Sequence, residues 1–480
     1  MPTEWYTRRR EENTYLLEHA NRLWNGCRGK QHEPEMIFDT RPTVRKNESA
    51  NSWLMVGVQK SGRPINSTAV SFTGVPVPVK KSTTSTAEIL SAIRAGTLFD
   101  LVECDIHVPS GLRDYFAEMQ PAFKNIDITR EDIGPFMQRY AEEHDIMKRP
   151  QLTLVGSYRG DNILLATPLL KRYMQHGLAV TRVYQVIEYE PKPCFRAFGD
   201  SVSAARRAGD ADPDRAILAD TMKRLGNSGY GKTVTNLGRH RDVKYCTKRG
   251  AAILINNRRF RQLNVVDEDV YEIAMNKRSV SYSLPLHIGF LVYRYAKLRM
   301  LQFYYDFIDT YIERPRFQYC EMDTDSAYIA LAGESVDDLV SSFMREHFFR
   351  QRAEWLPSEC CGEHEDAYVE CRLAGRVWET TNNCCKARKA YDKRTPGLFK
   401  IEFEGDGFIG LCSKTYYCIG SADKYSTKGL NKRQNKLNKD TFLVVLKQKR
   451  SSRGWNRGFR VKDSSVYIYM QERAALTLDD

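Results

Sequence analysis

Two aspartates one residue apart, Asp323 and Asp325 around Thr324, lie in the stretch YCEMDTDSAYIAL. Apolar residues on both sides predict a strand, an acidic turn and a second strand. Paired carboxylates at such a tip repel each other unless something positive sits between them. A hard cation such as Mg²⁺ meets that need, because it binds through one or two carboxylates together with substrate phosphates. In a two-metal displacement, one ion activates the attacking oxygen and the other steadies the leaving oxygen. Asp323 and Asp325 are therefore the candidate catalytic residues and metal ligands.

The string GNSGYGKT, residues 226–233, offers a different chemistry. It matches the phosphate-loop pattern G-x-x-x-x-G-K-[ST], with Lys232 as the phosphate lysine. That motif needs a buried strand before it and a helix after it, so that backbone N–H groups face the phosphates. Here the preceding residues, DPDRAILADTMKRL, predict a helix instead. Asp212 suits an N-cap and Pro213 the first helical position. Ile217, Leu218, Met222 and Leu225 give an apolar face. On that helix Lys223, Asn227 and Tyr230 stand at i, i+4 and i+7 and share one face. An ammonium, an amide and an aromatic ring suit an incoming nucleoside triphosphate: lysine neutralises phosphate and tyrosine packs against a base. Gly229 and Gly231 are expected where the helix ends and backbone approaches closely. Arg206, Arg207 and Arg215 precede the helix as further triphosphate candidates.

The elements that position these groups belong to a chain of 480 residues, too long for one core, so two to four lobes are expected. A net charge of +13 points to a polyanionic partner, nucleic acid first. No long apolar run and no apolar signal core occur, which predicts no membrane span and an intracellular protein. Its compartment stays open between the nucleus and a site of viral or element replication. The 12 cysteines include Cys360, Cys361, Cys371, Cys384 and Cys385, with His364 among them, but no C-x-x-C pair. Reduced thiols are expected there rather than zinc, because zinc thiolates usually come paired on one tight turn.

Residues 1–87 predict a loosely organised front with linker-like stretches. From Glu88 a helix, a glycine break and a strand at 98–108 are expected. The stretch QLTLVGSYRGDNILLATPLLKRYMQHGL predicts a hairpin turning at RGDN, then a helix. A strand ends at Pro191, and a long apolar helix covers IGFLVYRYAKLRMLQFYYDFIDTYI. The polar, cysteine-rich residues 358–395 predict a surface excursion. Strand patterning returns at GLFKIEFEGDGFIGLCSKTYYCIG, before a very basic end.

With those residues in place, a family resemblance emerges. KRLGNSGYG resembles the K-x-x-x-N-S-x-Y-G motif of family B DNA polymerases, YCEMDTDS their Y-x-D-T-D-S motif, and SKTYY their later K-x-Y motif. All three occur in the family's order. The texture from Glu88 onward is similar to the protein-primed branch of viruses and polinton-type mobile elements. The resemblance implies an α/β (α+β) right-hand polymerase with palm, fingers and thumb. Its division would be an N-terminal region at 1–87, palm-associated elements at 88–200, fingers at 201–245, palm at 246–340, an insertion at 341–395, and palm end with thumb at 396–480. It implies two Mg²⁺ ions, or Mn²⁺, at Asp323 and Asp325, and nucleotide contacts at Lys223, Asn227 and Tyr230. DNA contacts would come from Thr324, Lys414, Tyr416, Lys424, Lys428 and Lys432. Template and primer DNA, deoxynucleoside triphosphates and a terminal priming protein would be the partners.

The family's second metal carboxylate sits in an upstream D-x-x-S-L-Y-P motif that this sequence lacks. Asp39 in MIFDTRP and Asp105 in VECDIHVP are the candidates to replace it. Without it, the alternative is a polymerase remnant, truncated upstream, that binds DNA without extending it. No proofreading exonuclease pattern precedes Glu88, although YTRRREENTYLLEHANRLWNGC resembles the end of a nuclease-like module of mobile elements.

Overall fold

A computed structural model describes residues 54–60, 71–72, 77–78, 85–143, 150–188, 191–192, 195–280, 284–323, 325–412, 414–427, 430, 434–448, 451–462 and 465–476. Asp39, Thr324, Lys428 and Lys432 lie outside these residues. Along the chain come β1 (Leu54–Lys60), α1 (Thr86–Ala95), β2 (Asp100–His107), β3 (Arg159–Ala166), α2 (Thr167–Gln175) and β4 (Ala179–Glu188). Then follow α3 (Arg196–Ala211), α4 (Ala216–Thr233), β5 (Arg241–Cys246), β6 (Phe260–Asp267), β7 (Val270–Asn276) and α5 (Leu286–Gln302). Next are β8 (Phe317–Asp323), β9 (Ser326–Leu331), α6 (Glu365–Leu373) and α7 (Asn383–Asp392). The C-terminal part holds β10 (Phe399–Gly405), β11 (Gly407–Cys412), β12 (Thr415–Ile419), β13 (Lys424–Ser426), α8 (Lys439–Gln448), β14 (Ser452–Lys462) and β15 (Ser465–Leu476).

The sheet that carries the acidic turn has the strand order β8-β9-β1-β10, antiparallel throughout. Hairpin β8–β9 forms as its sequence predicts, with Asp323 paired to Ser326 across the turn. The strand between β9 and β10 comes from the expected linker-like front. In β1, Leu54, Val56 and Val58 pair with Leu331, Ile329 and Ala327 of β9. Those three β9 residues are buried in the main core. Neighbouring polar and charged residues hid this short strand from composition alone.

The main core joins this sheet to α5. That helix continues through a π-helical stretch, Phe303–Ile308, to Tyr311. Phe303 stacks on Phe399 at 4.0 Å between ring centroids, and Phe307 stacks on Trp355 and Phe348. Phe348, Trp355, Tyr368, Val369 and Cys385 are all buried here. Residues 358–395, expected as a surface excursion, thus contribute Cys360, Tyr368, Val369 and Cys385 to the core. Tyr368, Val369 and Cys385 are buried on short helices, while Leu373 and Val377 are exposed.

A second sheet holds β3, β2 and β4, with β2 in the middle. The α1 helix before it is closed by Gly96 at φ 77°, the glycine break expected there. The RGDN turn signal has a different outcome. Strand Gln151–Ser157 pairs with Ala122–Ile128, while β3 pairs with β2, so the two do not form a hairpin with each other. The signal marks a β-bulge within β3 instead: Asn162 adopts φ 51°, and the register with β2 shifts there. Asn tolerates that left-handed conformation better than most residues.

Beside this sheet, the Tyr115 hydroxyl lies 2.6 Å from His176 Nδ1, and Tyr305 packs against both rings. Burial first, then the Arg172 charge, pushes the His176 imidazole down to about 4. It is neutral in the fold at pH 7, whereas an unfolded histidine titrates near 6.5. The unfolded chain therefore binds the extra proton between these values. Stability is full above pH 6.5 and falls as pH drops toward 4. Thermal unfolding across that window is expected to show a smaller drop in His176→Gln than in the parent; equal drops would refute the assignment.

Candidate functional site

Helices α3 and α4 form an antiparallel pair joined by Asp212–Arg215. The Asp212 carboxylate accepts a hydrogen bond from Asp214 N, so the expected cap is present one turn before the α-helix proper. All of residues 226–233 are helical, which removes the phosphate-loop reading: a cradle of free N–H groups cannot form where those groups bond within a helix. The glycines do not end the helix at Gly229 or Gly231; it runs on to Thr233. Gly289 of α5 explains the close packing at that end. A Cβ there would sit 2.4 Å from Val234 Cγ1 and 3.2 Å from the Tyr230 carbonyl.

Lys223 is exposed, Asn227 half-buried and Tyr230 buried, its ring edge-on to Tyr293 of α5 at 5.8 Å. The shared face thus runs from solvent at Lys223 to the helix–helix seam at Tyr230. The expected apolar face is not the buried one: Ile217 is 83% exposed and Leu218 and Leu225 are also exposed, because α4 packs through its small residues near Gly226. Arg207 packs on Tyr391. Its Nε donates to the Tyr391 carbonyl at 3.1 Å and its guanidinium lies 3.6 Å over the Tyr391 ring. Arg215 pairs with Asp212 at 3.4 Å.

At the acidic hairpin, Asp323 ends β8 and Asp325 is a half-buried turn residue. The structure adds Glu321, which is 8% exposed. Its Oε1 accepts the Lys414 backbone N–H at 2.9 Å. Lys414 has φ 62°, the left-handed region that costs a non-glycine residue roughly 1 kcal/mol, and that hydrogen bond holds it there. Two residues on, the Tyr416 hydroxyl lies 2.8 Å from the Tyr328 hydroxyl of β9. Burial, then the bond to Tyr416, pushes the Tyr328 phenol well above its ordinary value, so it stays protonated. Lys424 stands 5.8 Å over the Tyr328 ring and 3.4 Å from Glu402. The acidic hairpin, Lys414, Tyr416 and Lys424 therefore meet in one place, although they lie about ninety residues apart in the chain. Glu321 and Tyr328 are the members that sequence reasoning passed over. The alternation 321, 323 along a strand was the available signal.

The candidates for the second carboxylate fare differently. Asp105 belongs to the β3-β2-β4 sheet, where its carboxylate accepts the Asn162 N–H at 2.6 Å and the Tyr184 hydroxyl at 2.9 Å. It satisfies the bulge in β3, in a different sheet from the hairpin's. On the hairpin's own sheet the adjoining strand is β1, where Gln59 pairs with Ser326, next to Asp325. The strand reads LMVGVQK and contains no carboxylate.

Among the described residues no helix is long and apolar enough to cross a membrane. No protein-family model matches the chain, and no curated protein matches it. Among solved structures the chain is similar to phi29 DNA polymerase complexed with primer-template DNA, in its post-translocation binary complex, at 13% identity and a TM-score of 0.48. That likeness covers 96% of this chain and 62% of the polymerase, so the chain spans less than two thirds of that protein's length.

Proposed function

We propose that the chain is the core of a template-dependent DNA polymerase of family B type, acting on a primer 3′ hydroxyl and a deoxynucleoside triphosphate. The observation that carries this reading is the docking of the Lys414–Tyr416 turn onto the acidic hairpin through Glu321 and Tyr328. It joins two motifs whose combination suits a primer end held beside a metal-binding carboxylate pair. In this reading Lys414, Tyr416 and Lys424 hold the primer backbone, with Thr324, Lys428 and Lys432 as further DNA contacts. Lys223 and Asn227 receive the nucleotide, and Tyr230 fixes the helix that carries them to α5. The resemblance extends the proposal to viral or mobile-element replication, with a priming protein as partner.

Asp323 and Asp325 fit one hard divalent ion, Mg²⁺ or Mn²⁺, sharing it with nucleotide phosphates. When bound, that ion would neutralise charge on the triphosphate. The carboxylate-free β1 does not fit the two-ion arrangement, which draws ligands from a second segment. This observation favours a second reading, in which the same cleft grips primer–template DNA without extending it. Primer extension with Mg²⁺ or Mn²⁺, beside salt-dependent DNA binding, separates the two. Extension supports the polymerase; binding without extension supports the second reading; neither one overturns both.

A further inference from the structure

We propose that Cys361, His364, Cys384 and Cys385 form a structural Zn²⁺ site with three thiolates and one imidazole. Their four ligand atoms lie within 4.8 Å of one another. Cys361 Sγ is 2.9 Å from His364 Nδ1, 3.4 Å from Cys384 Sγ and 3.8 Å from Cys385 Sγ, and Cys384 Sγ is 3.6 Å from His364 Nδ1. A tetrahedron with Zn–S bonds of about 2.3 Å has S···S edges of about 3.7 Å, so these separations suit ligands around one ion. They are much too long for a disulfide, whose sulfurs lie about 2.05 Å apart.

The chain builds the site from two short pieces. Cys361 and His364 flank the single turn Gly362–His364 that leads into α6. Cys384 and Cys385 lie in the first turn of α7. Backbone N–H groups at that helix start favour anionic sulfur. The Cys361 N–H donates to Cys385 Sγ at 3.3 Å, the kind of outer bond that orients a thiolate ligand. Cys385 is buried, Cys361 and His364 are half-buried, and Cys384 is exposed, which gives the ion an entry edge. The missing C-x-x-C pair argued against zinc. Here a C-x-x-H turn and an adjacent C-C pair replace it. With four protein ligands the site is closed, as structural zinc sites are, and keeps no position for catalysis.

The site also has a mechanical place. Near the far end of α7, Tyr391 receives Arg207 of α3, and Arg394 just beyond pairs with Asp210 of the same helix. The buried Asp392 accepts from Ser358 N at 3.2 Å and Arg388 Nε at 3.0 Å, tying α7 back to the segment before Cys361. An ion at the start of α7 therefore fixes the platform on which the α3–α4 pair stands.

The test uses the full chain, purified under reducing conditions without chelator. Elemental analysis and native mass spectrometry are expected to give about one zinc per chain. Cys384→Ser combined with Cys385→Ser is expected to lower this at least about tenfold, while Cys371→Ser, outside the four, keeps it. Should the double variant fail to fold, Co²⁺ exchanged into the parent protein decides: sulfur-to-cobalt charge-transfer absorption with tetrahedral ligand-field bands is expected. A parent without zinc, zinc retained by a folded double variant, or Co²⁺ without thiolate bands would overturn the proposal.

Discussion

Asp325→Asn is expected to lower Mg²⁺-dependent primer extension by about 10³-fold while leaving primer–template affinity within about twofold. The substitution keeps the shape of the turn and removes one negative charge. On the polymerase reading, Asp325 and its neighbour Asp323 are the hairpin carboxylates that would hold an ion, since β1 supplies none. Losing either charge would weaken the hold on a hard cation shared with a triphosphate. On the same reading, DNA affinity would rest on other groups, chiefly lysines placed to contact phosphate. Lys223→Ala, by contrast, should raise the KM for the nucleotide, and Lys232→Ala should change little, since its helix is no phosphate loop. Steady-state extension kinetics beside fluorescence anisotropy check all three. Extension that survives Asp325→Asn would remove this hairpin from the chemistry.

The second large effect concerns stability. Phe399→Ala is expected to cost about 3–5 kcal/mol. Phe399 is fully buried at the start of β10, stacked on Phe303, and its N–H donates to the Trp355 carbonyl at 2.7 Å. One ring thus joins the sheet of the acidic hairpin, the π-helical end of α5 and the segment leading to α6. Truncation leaves a cavity that three rigid elements cannot collapse into. Phe399→Leu, which keeps most of the volume, should cost much less. Ile217→Ser, at a site 83% exposed, should fall within about 0.5 kcal/mol of the parent. Urea unfolding measures each. A loss below about 1 kcal/mol for Phe399→Ala would mean that this core is not the one that holds the sheet.

Local signals were legible where sequence periodicity and partner coincide. The β8–β9 hairpin, the Asp212 cap and the Gly96 stop were all readable, because neighbours in sequence make those structures. Long-range partners were not. RGDN looked like a hairpin turn because Asn162 does take a left-handed conformation, but the strand after it pairs with β2, and Asp105 fills the bulge. LMVGVQK was passed over within the loosely organised front because its partners are the two strands that flank it. The apolar residues of α4 promised a buried face, whereas Gly226 and Gly289 let that helix pack through small surfaces. The cysteine set lacked its usual spacing, because the ligands come from two helix starts about twenty residues apart.

The place of β1 also governs how the chain can be made. Its partner in β9 is synthesised some 270 residues later, as the pairing of Leu54 with Leu331 and Gln59 with Ser326 requires. At about 5–20 residues per second, that interval is roughly 15–55 s on the ribosome. Throughout it, the apolar positions of LMVGV have no sheet to join, and such a segment is an aggregation hazard. The sheet closes only after nearly the whole chain has emerged, since β10 lies later still. Closing so long a loop costs entropy before any pairing repays it.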